Sequence, residues 1–129
     1  MTQAEELRER TKKFAIYPIT ITQLPIYKIT QLPIAYLSLE LRIEGAHSLK
    51  DKRQVLRSVK DRLRNSFNIS IAEIDATDLW QRATLGVVSI SDSRDYLEGL
   101  MRNVEREATR LANNAGAEVV DSFLDYLED

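Results

Sequence analysis

The sequence predicts a small α/β protein in which two helices cover one face of a four-stranded antiparallel sheet. Its 129 residues suit a single domain. From residue 34 onward, segments of alternating apolar residues and segments with helical apolar spacing follow one another in the order β-α-β-β-α-β. This is the split-βαβ, ferredoxin-like order, and right-handed crossovers place both helices on one face of the sheet.

Residues 1–34 are predicted to form a separate N-terminal region, followed by the domain at 35–129. Residues 2–14 are rich in charged helix formers and predict a short helix. The hexapeptide Ile-Thr-Gln-Leu-Pro-Ile occurs twice, at 21–26 and 29–34, and all three prolines lie between 18 and 33. Proline cannot donate to a sheet ladder, so we expect an edge strand, an extended arm or a linker. Its apolar character predicts packing on its own domain or on a second subunit.

The first strand and helix of the domain have the clearest patterns. Alternating Leu and Ile residues at 37–43 predict a strand with one buried face. Gly45-Ala46-His47 then predicts a turn, and Ser48 with Asp51 predicts a helix start. The helix is expected to reach about Ser66, with one apolar stripe: Leu49, Leu56, Val59, Leu63 and Phe67.

The second half of the domain repeats this plan with an extra strand. Residues 69–74 predict a short strand and Leu79–Ile90 a third, in which Gly86 predicts a bulge or a close approach of backbone. Ser91 or Asp92 is expected to cap the second helix, and residues 113–116, Asn-Asn-Ala-Gly, to end it. Glu118–Tyr126 is predicted to be the last strand.

Composition and motifs argue against several functional classes. The chain contains no cysteine, which excludes disulfides, thiolate nucleophiles and cysteine-based metal sites, and favours a reducing, cytoplasmic location. No apolar run is long enough to span a membrane, and the N-terminus does not resemble a signal peptide. There is no phosphate loop or dinucleotide fingerprint. No cofactor or metal site is therefore expected, and the chain is predicted not to be an enzyme.

Catalysis has only weak candidates. His47 is the one histidine and lies beside Ser48, but adjacent side chains rarely face each other, so Ser48 is better explained as a helix cap. The acidic pairs Asp75/Asp78 and Asp121/Asp125 are interpreted as turn formers and solvated charge.

A cationic stripe on the first helix is the strongest functional signal. Residues 47–66 hold seven Lys or Arg and two Asp, whereas residues 91–129 are strongly acidic. Five of the cations recur at spacings of three and four, and at about 100° per residue they fall within an arc of about 80°: Lys50, Arg53, Arg57, Lys60 and Arg64. Phosphates are attracted to such a stripe. The alternative is a solvated face that keeps the protein soluble.

Two further regions are candidate interfaces. The open sheet face is expected to carry Tyr36 but also Glu40, which would repel phosphate, so base stacking there is disfavoured and coverage by the arm or a second subunit is preferred. Trp80 and Arg82 are candidates for a binding patch. The favoured alternative is that Trp80 closes one end of the core while Arg82 pairs with Asp75 or Asp78.

Two motifs of the domain are specific when taken together. The first is Ser-Leu-Lys-Asp-Lys-Arg at 48–53, followed by Val-Leu-Arg-Ser, and the second runs from residues 67–73 to 78–83 and Leu85-Gly86-Val87. Together they resemble the YlxP-like family, small bacterial proteins of unknown function. The resemblance covers about residues 35–127 and implies a ferredoxin-like fold. The family's genes often lie near genes for translation initiation and ribosome-binding factors, which implies a role in ribosome assembly or translation.

The sequence therefore leads to two hypotheses. The first is a cytosolic, non-enzymatic accessory factor that binds RNA or a ribosomal subunit through the basic stripe. The second is an interaction module, for example a homodimer, that associates through the arm and the open sheet face.

Overall fold

Residues 33–75 and 78–127 are the part of the chain described in the computed structural model. The expected order of elements is confirmed, and their bounds are β1 (Ile34–Arg42), α1 (Leu49–Ser66), β2 (Ser70–Ile74), β3 (Arg82–Ile90), α2 (Arg94–Asn114) and β4 (Glu118–Leu127). The four strands form one antiparallel sheet in the order β2-β3-β1-β4. The predicted N-terminal helix and most of the predicted arm lie outside the described residues.

The core lies between one face of the sheet and the two helices. The predicted alternation in β1 is confirmed, because Leu37, Leu39 and Leu41 are at most 2% exposed. The helices contribute apolar stripes at the predicted spacing, and their fully buried members include Leu56, Val59, Leu63, Leu97, Met101 and Val104. Burying a side chain of this size contributes about 1.5–3 kcal/mol, so this shared core determines how the helices sit on the sheet.

Side-chain caps set where the helices begin. Ser48 Oγ accepts the Asp51 N–H at 3.1 Å, and Asp51 Oδ2 accepts the His47 N–H at 3.0 Å, so the predicted start of α1 is confirmed. The expected cap of α2 was wrong by one or two residues. Ser93 is the N-cap and accepts the Tyr96 N–H at 3.2 Å, whereas Ser91 Oγ accepts the Ser93 N–H within the preceding turn.

Two details of the sheet differ from expectation. β3 begins at Arg82 instead of Leu79, because residues 80–81 form a turn. The pairing of β3 runs through Gly86 without a bulge, and the glycine is instead a close approach of side chains. A Cβ there would lie 3.2 Å from Ile74 Cγ2 and 3.4 Å from Tyr36 Cε2. The irregularity in register lies between β1 and β4, at Glu40/Leu41.

Candidate anion-binding interface

The cationic residues of α1 lie on the side of the helix that faces solvent. Lys50, Arg53 and Arg57 are exposed, and Lys60 is half-buried. None of these four forms an ion pair with a residue in the described ranges. The apolar stripe of α1 faces the sheet, so the four cations, hereafter the basic face, carry their charge into solvent.

Arg64, the fifth predicted member of the stripe, has a different environment. Its Nη2 donates to the Ile71 carbonyl oxygen at 2.9 Å, and its Nη1 lies 3.3 Å from Asp61 Oδ1. Asp61 and β2 thus take up two of the five N–H donors that the guanidinium would offer to a ligand. Arg64 thus remains a predicted member of the stripe, but the name basic face is kept for the four cations without an ion-pair partner in the described ranges.

A shallow cleft joins the basic face to β2, the edge strand beside it. Its volume is about 290 Å³, and Arg53, Arg57, Lys60 and Arg64 line it together with Leu56, Asp61 and Glu73. Asp61 is already paired with Arg64, and Glu73 with Lys52. The cleft therefore presents more positive than negative charge to a ligand.

Lys52, which lies outside the predicted stripe, is a structural cation whose role the sequence analysis did not identify. It is 2% exposed, and its Nζ lies 3.3 Å from Glu73 Oε1 and donates to the Leu79 carbonyl oxygen at 3.0 Å. At about 100° per residue it falls within the arc of Leu56, Val59 and Leu63, which is the signal that could have identified it. This lysine ties α1 to β2 and to the backbone before Trp80.

Arg62 also lies outside the basic face, because it faces α2. The hydrogen bond from Arg110 lowers the pKa of Glu107, and the charges of Arg110 and Arg62 lower it further. The acidic and basic groups on this side of the domain thus compensate one another, in contrast to the basic face.

On both edge strands, side chains form hydrogen bonds with polar backbone groups. On β2, Arg64 takes the Ile71 carbonyl oxygen. On β4, Asp121 Oδ1 accepts the Ser122 N–H at 2.9 Å, and Asp125 Oδ1 accepts the Tyr126 N–H at 2.8 Å. Groups engaged in this way are less able to pair with an added strand.

The open sheet face combines apolar and acidic groups. Tyr36 is half-buried there and contacts the position of Gly86 together with Ile74. Val88, Ile90, Phe123 and Leu127 are 36–59% exposed. Glu40 and Asp121 are opposite one another in the pairing of β1 with β4, so this part of the face carries negative charge.

Trp80 and Arg82 differ from the favoured expectation. Trp80 is 49% exposed, so it does not close the core, and Arg82 forms no ion pair with Asp75 or Asp78. Both residues instead line an open depression at the end of the sheet.

For the remaining candidate catalytic and metal-binding residues, the structure gives either a structural role or no role. Ser48 Oγ serves as the N-cap, and His47 is exposed. Asp75 ends β2 with φ of 51°, a conformation that Asp tolerates better than most residues. In the described ranges, no group of three or more His, Cys, Asp or Glu side chains could hold a metal ion. No helix in these ranges is long and apolar enough to cross a membrane.

Two solved structures are similar to this chain over most of its length. The YXEP protein of Bacillus subtilis, described as a dinuclear metal binding peptidase from the M20 family, superposes with a TM-score of 0.50 at 11% identity. The match covers 75% of this chain but only 26% of the peptidase. A dimeric ferredoxin-like protein from an uncultured marine organism matches with a TM-score of 0.38 at 14% identity, covering 78% of this chain and 90% of that protein.

Comparisons of sequence give the family. The Bacillus subtilis protein named "Uncharacterized protein YlxP" is 41% identical over 71 residues, which is 55% of this chain and 77% of the relative. Residues 34–123 match the model of the family DUF503, described as a protein of unknown function. The resemblance to YlxP-like proteins is thus confirmed, and the chain belongs to the DUF503 family.

Proposed function

We propose that this protein is a cytosolic, non-enzymatic accessory factor that binds structured RNA, such as that of a ribosomal subunit, through the basic face of α1. The observation that carries the proposal is the set of four cations without an ion-pair partner among the described residues: Lys50, Arg53, Arg57 and Lys60. Uncompensated cations on one helix face attract a polyanion, because each phosphate contact releases a condensed counterion.

The spacing of the basic face favours contact with a phosphate backbone. Successive members are three or four residues apart, which corresponds to about 4.5–6 Å along a helix that rises 1.5 Å per residue. The row ends at Arg64, which is held by Asp61 and β2. Among the residues that the structure describes, no aromatic side chain lies in this row or lines its cleft, so contact would be to phosphates instead of stacked bases. Such binding is expected to depend strongly on salt and weakly on sequence.

Charge reversal at Arg53 and Arg57 tests the site. The double variant Arg53→Glu/Arg57→Glu should weaken binding to structured ribosomal RNA by at least about a hundredfold at low salt, because two attractive contacts become repulsive. A matched control is Arg102→Glu/Arg106→Glu on α2, which makes the same change of charge at two exposed arginines with the same spacing. Equal weakening by the two double variants would reduce the effect to net charge and contradict the proposed site.

A second candidate function is an interaction module that associates through the open sheet face. Its specific support is the set of four exposed apolar side chains on that face, Val88, Ile90, Phe123 and Leu127. Sedimentation at high concentration tests it. The candidate requires a dimer that Phe123→Glu dissociates, and a monomer at all concentrations would count against it.

A further inference from the structure

An open depression of about 730 Å³ lies at the end of the sheet where β1 ends and β3 begins. Of the described residues, six line it: Arg42, Asp78, Leu79, Trp80, Gln81 and Arg82. Ligand pockets commonly have volumes of roughly 300–1,000 Å³. The two arginines project from the open face of the sheet, because their neighbours Leu41 and Ala83 are buried on the other. The depression is therefore distinct from the basic face of α1.

Its chemistry is set first by two arginines placed side by side. Arg42 and Arg82 are direct partners in the pairing of β1 with β3. Like charges in this position destabilise a sheet. Arg42 has a weak, exposed partner in Glu44 at 3.7 Å, and Arg82 has no ion pair with any residue of the described ranges. An anion between the two guanidinium groups would offset their repulsion and accept charge-assisted hydrogen bonds from both.

The second feature is an indole presented from an anchored backbone. Trp80 is 49% exposed and Leu79 is 59% exposed, although tryptophan is usually well buried. The backbone on either side is fixed, since buried Lys52 donates to the Leu79 carbonyl oxygen and the Gln81 carbonyl oxygen accepts the Ile43 N–H at 2.9 Å. An exposed aromatic ring held in this way can stack against the flat face of a nucleobase.

We propose that this depression binds a nucleoside monophosphate, with the phosphate between Arg42 and Arg82 and the base against Trp80. Asp78 lines the same depression and can accept a hydrogen bond from a ribose hydroxyl or a base amino group. Its negative charge disfavours a polyphosphate at the same place. The bound group is either a free nucleotide or the terminal nucleotide of an RNA strand, which share this chemistry. The inference goes beyond the proposed function, because it uses a different face of the domain.

Trp80 is the only tryptophan of the chain, so intrinsic fluorescence reports directly on this site. Titration of the full chain with AMP should quench the indole emission saturably. Adenosine and inorganic phosphate, which each supply half of the ligand, should bind at least about tenfold more weakly than AMP. Arg82→Ala should weaken AMP binding at least about tenfold, since a hydrogen bond to a charged group is lost. Arg102→Ala on α2 is the matched control and should leave the titration unchanged.

Further measurements identify the source of the ligand and test the binding site in variants. A trinucleotide with a terminal phosphate that binds more tightly than AMP assigns the site to an RNA end, and equal or weaker binding assigns it to a free nucleotide. Trp80→Ala, followed by calorimetry, should lose AMP binding. Arg82→Ala should be at least as stable as the parent without ligand, because it removes the repulsion from Arg42.

Four results would overturn the assignment. Two concern AMP itself: the absence of saturable quenching at millimolar concentration, and unchanged AMP affinity in Arg82→Ala. Two concern other ligands: inorganic phosphate that binds as tightly as AMP, and a glutamate-rich peptide that binds as tightly as AMP. The last result would assign the pair of arginines to a protein partner. None depends on RNA binding at α1, since Arg53→Glu/Arg57→Glu should leave AMP titration unchanged.

Discussion

Replacement of Lys52 by methionine should destabilise the domain more than any other single change to a charged residue of α1. The ammonium group is buried, 3.3 Å from Glu73 Oε1 and hydrogen-bonded to the Leu79 carbonyl oxygen. Methionine fills most of the space of the lysine stem, so the principal loss is electrostatic. It leaves Glu73 without this partner and the Leu79 carbonyl without its donor.

The magnitude follows from how deeply the two partners are buried. Removing one member of a buried ion pair costs about 3–5 kcal/mol, because the other charge is left uncompensated. The Glu73 side chain remains 23% exposed, so water recovers part of its solvation. We therefore expect Lys52→Met to lower the free energy of unfolding by about 2–4 kcal/mol. This is a large fraction of the roughly 5–15 kcal/mol that stabilises a typical domain.

Urea denaturation followed by circular dichroism measures this loss. Lys50→Met, two residues away on the exposed side of α1, is the matched control and should change stability by less than about 0.5 kcal/mol. In Lys52→Met/Glu73→Gln the uncompensated carboxylate is replaced by a neutral amide. The free energy of unfolding should therefore be more than about 1 kcal/mol higher than in Lys52→Met alone. A loss below about 0.5 kcal/mol in Lys52→Met, or no recovery in the double variant, would refute the reasoning.

Three further changes test the fold. Ser48→Ala should cost about 1 kcal/mol in unfolding free energy through loss of the N-cap, and an unchanged urea midpoint would contradict it. Gly86→Ala should cost about 1–2 kcal/mol by overpacking, and Ile74→Ala should cost less in that background than in the parent, a coupling that denaturation of the four proteins measures. Asp121→Ala/Asp125→Ala should increase self-association measured by light scattering, because it frees two N–H groups of an edge strand; unchanged scattering would contradict that role.

The elements with strong local signals could be predicted from the sequence. The alternation in β1 and the Ser48–Asp51 cap of α1 depend on residues within a few positions of one another. The order of elements then favoured the observed topology, because crossover connections have a preferred hand. Where several local signals compete, the prediction is less accurate. Ser91, Asp92 and Ser93 are all good N-cap residues, and the structure selects Ser93.

Features that depend on distant parts of the chain could not be predicted in the same way. Lys52 can be buried because it forms an ion pair with Glu73 and a hydrogen bond with the Leu79 carbonyl oxygen, which lie 21 and 27 residues further along the chain. Arg64 is partly engaged because the edge of β2 offers it the Ile71 carbonyl oxygen. Trp80 is exposed because β3 begins only at Arg82, which leaves the tryptophan in a turn. In each case tertiary contacts override a reasonable local interpretation.

The salt dependence of binding to structured ribosomal RNA and to small ribosomal subunits tests the central claim most directly. If all four cations of the basic face contact phosphates, the slope of log K against log salt should be about −3.6. The slope should fall to about half of that value or less in Arg53→Glu/Arg57→Glu and remain unchanged in Arg102→Glu/Arg106→Glu. Absence of binding at low salt, or the same slope in all three proteins, would contradict the proposal that the basic face binds RNA.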